Sequence, residues 1–320
     1  MRIDPHVHCR DGRQRYKTTI EEVFRIADKQ GVDKIFDMPN TDPPILTTKD
    51  VEKRLRLVPK SRVNDYFLYI GATSNPEQLE EAVRCYNNYP NVIGIKLFAG
   101  ESVGDLKVIE EYKQRNIYKK LSELAFKGVL AVHCEKEKYM EKDFWDPSHP
   151  LTHSWARPKR TEIYSIEDQI NFAEEVNFPG ILHIVHVSVP ESVELIEKAR
   201  GKKRIDITCG VTPHHIMWSN EMLNMPYGLL YKMNPPLRNK EAVEGLIEKL
   251  KEGKIDWIET DHAPHASEEK LNYPHLSGYP SLYLYRNFVE EFLPKIGIKE
   301  RLIRKMTYDN IVKTFENKLK

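Results

Sequence analysis

Apolar residues along the chain alternate between two spacings. Short, closely spaced apolar runs, Arg2 to His8, Val32 to Met38, Asp65 to Ala72 and Val92 to Phe98, read as strands. Longer stretches with apolar residues every three or four positions lie between them, and the first, Thr18 to Gln30, is stopped by Gly31. The alternation continues through strands at Val129 to Glu135, Ile181 to Ser188, Arg204 to Cys209 and Ile255 to Asp261. The helices predicted between and after them begin at Thr47 or Thr48, Pro76, Leu106, Ile163, Pro190, Lys240, Ser281 and Lys299. Eight strands alternating with helices are the pattern of a (β/α)8 barrel, with parallel strands and right-handed crossovers. With no linker visible, residues 1–320 are expected to form a single domain.

Composition narrows the function classes. Forty-nine Lys and Arg against 48 Asp and Glu leave a formal charge of +1, so no global field argues for nucleic acid or an acidic membrane. The expected partner is a small molecule. No run approaches the ~18 apolar residues of a membrane span, and the first residues do not resemble a signal peptide; the reading is cytoplasmic. Cys9, Cys85, Cys134 and Cys209 stand far apart, which fits reduced thiols. The basic run of Lys53, Arg54 and Arg56 is expected on a solvated helix face.

Candidate chemistry gathers at the ends of strands. His6 and His8 are two apart in an extended segment and so share a face. Lys96 stands inside an apolar strand, where a buried cation costs several kcal/mol, on the order of 3–5, unless paired or neutralised. His133 ends the fifth strand and Asp261 the eighth. In the sixth, parity puts His186 on the face of Ile184 and Ser188, and His183 on the other, as a packed or hydrogen-bonded residue. All of these lie toward the carboxyl ends of the strands, where such barrels carry their active sites. Six ligand-type residues exceed one tetrahedral site with an open position but suit two cations about 3.5–4 Å apart. A free ammonium is a poor ligand, whereas a lysine that has reacted with carbon dioxide is a carboxylate able to bridge two cations. The long irregular stretch from Lys136 to about Arg160 suggests a loop over a site; His149 and His153 in it, and His214 and His215 later, are read as residues surrounding the ligands.

The chain resembles the dihydroorotases of the amidohydrolase superfamily over nearly its whole length. The resemblance rests on Asp4 to Gly12, Asp37-Met38-Pro39-Asn40-Thr41, Gly94 to Phe98, Val132 to Glu135, His183 to Ser188, Asn234 to Arg238 and Thr260 to His265, in family order. It implies a cyclic amide hydrolase of pyrimidine biosynthesis that interconverts dihydroorotate and N-carbamoyl-L-aspartate. Two zinc ions are implied: His6, His8 and Asp261 hold the first, His133 and His186 the second, and N6-carboxylated Lys96 bridges them together with a hydroxide that acts as nucleophile. Asp261 is then the general acid and base. Arg10 and Asn40, with His265, bind the substrate carboxylate, and Asn234 lies near the ring. A homodimer or association with aspartate transcarbamoylase is compatible with the family.

The chain also departs from the family. The small β-sandwich of longer members is expected to be lacking. Gly278-Tyr279-Pro280-Ser281-Leu282-Tyr283 stands where Gly-x-Pro-Gly-x-Glu is common, so Ser281 and Tyr283 replace the second Gly and the Glu, which bears on loop eight and substrate fit. Two rivals remain open: a hydantoinase-like or allantoinase-like hydrolase, against which Arg10 and Asn40 speak, and a non-catalytic subunit scaffolding aspartate transcarbamoylase, against which the six retained ligands speak.

Overall fold

The protein is described by a computed structural model covering residues 1–101 and 106–319. Eight parallel strands pair in sequence order: β1 (Ile3–Val7), β2 (Lys34–Asp37), β3 (Tyr66–Gly71), β4 (Val92–Ala99), β5 (Val129–Cys134), β6 (Ile181–Ile184), β7 (Asp206–Val211) and β8 (Trp257–Ile258). Val7 bridges to His262, and His8 N donates to His262 O at 2.8 Å, so the segment after β8 returns to β1 and nearly closes the ring. This is the expected (β/α)8 barrel.

Local chemistry sets the surrounding helices. Ile20–Gln30 starts in a capping box between Thr19 and Glu22 and stops at Gly31, whose φ of 71° suits a residue without a Cβ. Thr47 and Asp50 form the same box before Thr48–Arg56. Asn75 caps Pro76–Asn88, with Pro where a helix has an N–H to spare. Glu111–Glu123 begins later than the periodicity predicts, because Lys107 forms a bridge with Phe98 at the end of β4. The C-terminal helices are interrupted by π turns at Phe288–Phe292 and Lys305–Asp309.

The barrel interior is divided by polarity. Phe36, Phe67, Tyr69, Ile93, Trp257 and Phe315 belong to one buried apolar cluster, with Phe315 reaching in from the chain's last helices to meet Phe36 edge-on at 5.1 Å between ring centroids. A larger cluster fills the layer between strands and helices. The opposite, carboxyl end of the barrel is left to polar groups. Among the described residues, no helix is long and apolar enough to cross a membrane.

One expectation on the helical layer is overturned. Lys53 and Arg56 are exposed, but Arg54 is buried. Its guanidinium reaches Asp37 Oδ2 through Nε at 2.9 Å and Nη2 at 2.6 Å, and Nη1 donates to the Arg10 carbonyl at 2.6 Å. Lys53, Arg54 and Arg56 cannot all share one helix face, and Arg54 points inward to a buried carboxylate.

Candidate metal centre and substrate cleft

Segments leaving the strands place the predicted ligands together. His6 lies in β1 and His8 just beyond it, and their ring centroids are 5.3 Å apart. Asp261 Oδ1 is 2.9 Å from His8 Nε2 and 3.3 Å from His6 Nε2. Ligand atoms of His6, His8 and Asp261 all lie within 4.8 Å of one another. His133 Nδ1 and His186 Nε2 approach to 3.1 Å, and the His6 and His186 rings are 5.4 Å apart, so the second pair adjoins the first group. Lys96, 0% exposed, lines the same cleft. Its Nζ has no hydrogen-bond partner among the described residues.

Strand parity delivers some of these residues, but not all. Arg10, two residues past His8, does not continue the face of that pair: β1 ends at Val7 and Arg10 has φ 54°. His186 (φ 40°) follows the end of β6, and Asp261 (φ 49°) follows β8. A left-handed backbone at non-glycine residues costs about 1–3 kcal/mol each and is held only where surrounding bonds dictate it. At Arg10 and His186 those bonds are visible. Arg54 holds the Arg10 carbonyl, and Glu259 accepts from the His186 backbone N–H.

Electrostatics favour the protonation states a metal needs. Burial pushes His6 down to about 4, and it holds His8 and His186 well below the ordinary imidazole range, so their ring lone pairs are available at neutral pH. Burial lowers Lys96 to about 8, which makes the neutral amine, the form able to react with carbon dioxide, far more accessible near neutral pH than for an ordinary lysine. Asp261 is the exception: burial raises it from the ordinary carboxylate value, against the ionised form a metal ligand needs. The rings are held from behind. His8 Nδ1 lies 2.7 Å from Asn40 Oδ1, and His133 Nε2 lies 3.1 Å from Glu135 Oε2, which accepts from Arg157 Nη1 at 2.5 Å. Such outer contacts fix which nitrogen faces an ion. The donor set, with its unpartnered buried Lys96 amine, fits a pair of divalent cations.

Beside this cluster the cleft has a cationic wall. Arg10 is 2% exposed; Nε donates to Pro264 O at 3.3 Å, Nη2 is 3.2 Å from His265 Nε2, and Nη1 has no hydrogen-bond partner among the described residues. Burial, then Arg10 and Lys17, hold the His265 imidazole far below its ordinary range, so it is neutral. Asn40 and Asn234 also line the cleft. Asn234 Oδ1 receives His153 Nε2 at 3.0 Å. Asn234 and Ser277 also border a wider outer chamber of about 410 Å³, walled by Trp145, Arg157, Lys232 and His275.

The remaining histidines separate cleanly. His183 lies between Thr208 Oγ1 (3.0 Å) and Glu259 Oε2 (3.1 Å), hydrogen-bonded as its parity predicted. His215 is fixed by Thr212 Oγ1 and the Pro235 carbonyl, and His214 is buried against it. His149 is exposed and pairs with Asp146. In loop eight, Ser281 Oγ donates to the Thr260 carbonyl and Tyr283 is exposed, so the two substituted positions brace the loop and face solvent respectively. Glu259 and Glu135 were not singled out from the sequence. The signal was present: each is an acid in or next to an apolar strand, the same anomaly that drew attention to Lys96.

No protein-family model matches the chain. Curated relatives do. The dihydroorotase of Methanosarcina mazei is 31% identical over 281 residues, 84% of this chain and 58% of that one. That of Acetivibrio thermocellus is 34% identical over 277 residues, 84% of this chain and 61% of that one. The dihydroorotase of Methanothermobacter thermautotrophicus is 28% identical over 321 residues, 98% of this chain and 68% of that one. This chain is a relative of the dihydroorotases. It spans less than two thirds of the length of the first two of these dihydroorotases. Among solved structures, L-hydantoinase from Arthrobacter aurescens superposes with a TM-score of 0.84 at 21% identity, and dihydropyrimidinase from Brevibacillus agri with 0.83 at 20%. Each match covers 98% of this chain and 70% of the other. These likenesses show the barrel fold.

Proposed function

We propose that this chain is the catalytic barrel of a dihydroorotase, a zinc-dependent cyclic amide hydrolase that interconverts dihydroorotate and N-carbamoyl-L-aspartate in cytoplasmic pyrimidine synthesis. The observation that carries the reading is Arg10, a buried guanidinium with an unpartnered Nη1, on the wall of the same cleft as the ligand cluster. A cation so placed asks for an anion, and a planar fork suits a carboxylate. Dihydroorotate has a carboxylate next to its ring; hydantoin and allantoin have none. The names of the curated relatives support the same choice.

In this reading His6, His8 and Asp261 would hold one zinc and His133 and His186 the other, and Lys96, once carboxylated, would supply a carboxylate to both. A bound pair of such ions lowers the pKa of water toward ~7 and polarises a carbonyl. The chain's own residues do the rest. Arg10 and Asn40 clamp the substrate carboxylate, and neutral His265, beside Arg10, completes that end without adding a charge. Asn234 lies against the ring. Asp261, next to the reacting carbonyl, takes the proton from the attacking water as the carbon–oxygen bond forms. It returns that proton to the ring nitrogen as the carbon–nitrogen bond breaks. Cyclisation is the same path reversed, with water leaving.

The test is to measure bound metal and hydrolysis of dihydroorotate beside hydantoin and allantoin. Two zinc ions per chain with turnover of dihydroorotate alone is the expected result. Turnover of hydantoin or allantoin in its place would overturn the substrate, and a metal-free, inactive protein would overturn the enzyme.

A further inference from the structure

Beneath the ligands lies a carboxylate that the reading above leaves without a task. Glu259 is 1% exposed and stands two residues before Asp261. Its Oε2 accepts from Trp257 Nε1 at 3.1 Å and faces His183 Nε2 at 3.1 Å. Its Oε1 accepts from the backbone N–H of His186 and lies 3.9 Å from His6 Nδ1. That ring nitrogen is buried and has no hydrogen-bond partner among the described residues. Space for the carboxyl is provided on the neighbouring strand by Gly210 in β7, where a Cβ would lie 2.5 Å from Glu259 Cδ.

A buried carboxylate in an apolar barrel has to be compensated. Trp257 and His183 supply part of that compensation on one oxygen; the other oxygen is turned toward one ligand residue from each half of the cluster. We propose that Glu259 is a positioning residue that ties the two halves of the metal centre together, orienting the His6 imidazole and fixing the left-handed backbone of His186. This rests on the metal centre proposed above. An ion held at His6 Nε2 requires the proton on Nδ1, and a metal-bound histidine ordinarily gives that N–H to a carboxylate or carbonyl. Closing 3.9 Å to hydrogen-bond distance takes a shift of about 1 Å. The His186 bond matters differently. It holds the turn that aims His186 Nε2 at His133 Nδ1, and so shapes the second site without touching its ion.

Zinc titration by calorimetry of the chelator-treated full chain, beside circular dichroism, tests this. Glu259→Gln keeps the shape and one acceptor oxygen but loses the charge; zinc binding is expected to weaken by about 10–100-fold, the usual effect of losing an outer partner, with the fold unchanged. Gly210→Ala keeps the acid but displaces it, and is expected to weaken zinc in the same direction. Two zinc ions bound with unaltered affinity by both variants would overturn the inference. A wild-type chain that binds no zinc overturns the metal centre itself, and this role with it.

Discussion

Arg10 and Asp261 share one cleft but predict opposite kinetic signatures. In the proposed reaction Arg10 holds a part of the substrate that does not react, so Arg10→Met removes binding common to ground and transition states. A charge-assisted hydrogen bond is worth about 1.5–3 kcal/mol, so KM for dihydroorotate should rise roughly 10- to 100-fold with kcat little changed. Asp261→Asn keeps an oxygen for the cation pair but cannot carry a proton. Its zinc content should stay near two per chain by elemental analysis while kcat falls by about 10²–10⁴, the usual scale of general acid–base catalysis. Near-normal turnover would remove Asp261 from that role. Lys96 makes a third case. Its buried, unpartnered amine carries no carboxylate until carbon dioxide adds. Chelated protein should therefore recover activity with zinc faster when bicarbonate is supplied than in carbon-dioxide-free buffer, and equal recovery would argue against the carbamate.

At the scale of elements, the strand ends decide what could be read in advance. Periodicity located all eight strands, because parallel strands buried on both faces leave unmistakable apolar runs. His6 and His8 followed from parity within one extended segment. Arg10 and His186 reach the cleft by another route, through left-handed residues just past β1 and β6. No hydrophobic period signals such a turn, since its cause is a hydrogen bond from a distant element: Arg54 for one, Glu259 for the other. Arg54 itself was misjudged for the same reason, because its buried partner Asp37 lies on a different element. That pair yields a prediction about the Thr48–Arg56 helix. Arg54→Met would leave Asp37 buried with Tyr66 and the Cys9 N–H as partners. Breaking one side of a buried pair typically costs about 3–5 kcal/mol. The urea midpoint should drop accordingly, and KM should rise as well, because the Arg10 carbonyl loses its anchor. A drop in stability with KM unchanged would separate the helix from the cleft.

For the whole molecule, the same division of the barrel that builds the site decides what metal does for the fold. The amino end is an apolar plug of Phe36, Trp257, Phe315 and their neighbours, and a larger apolar layer surrounds the strands. Both are built from apolar side chains alone, so the core is expected to hold when ions are removed. The carboxyl end is different, with His6, His8, Lys96, His133, His186 and Asp261 buried close together. Ions bound there are absent from the unfolded chain and stabilise the native state by mass action, about 2.7 kcal/mol for an ion present at 100 times its Kd. Chelation should therefore lower the thermal midpoint by several degrees and leave the far-ultraviolet circular dichroism intact. The loss should be reversed by zinc and be smaller in Glu259→Gln, whose ions are held less tightly to begin with. Loss of the helical signal on chelation would mean instead that the ligand cluster, and not the apolar layers beneath it, holds the barrel closed.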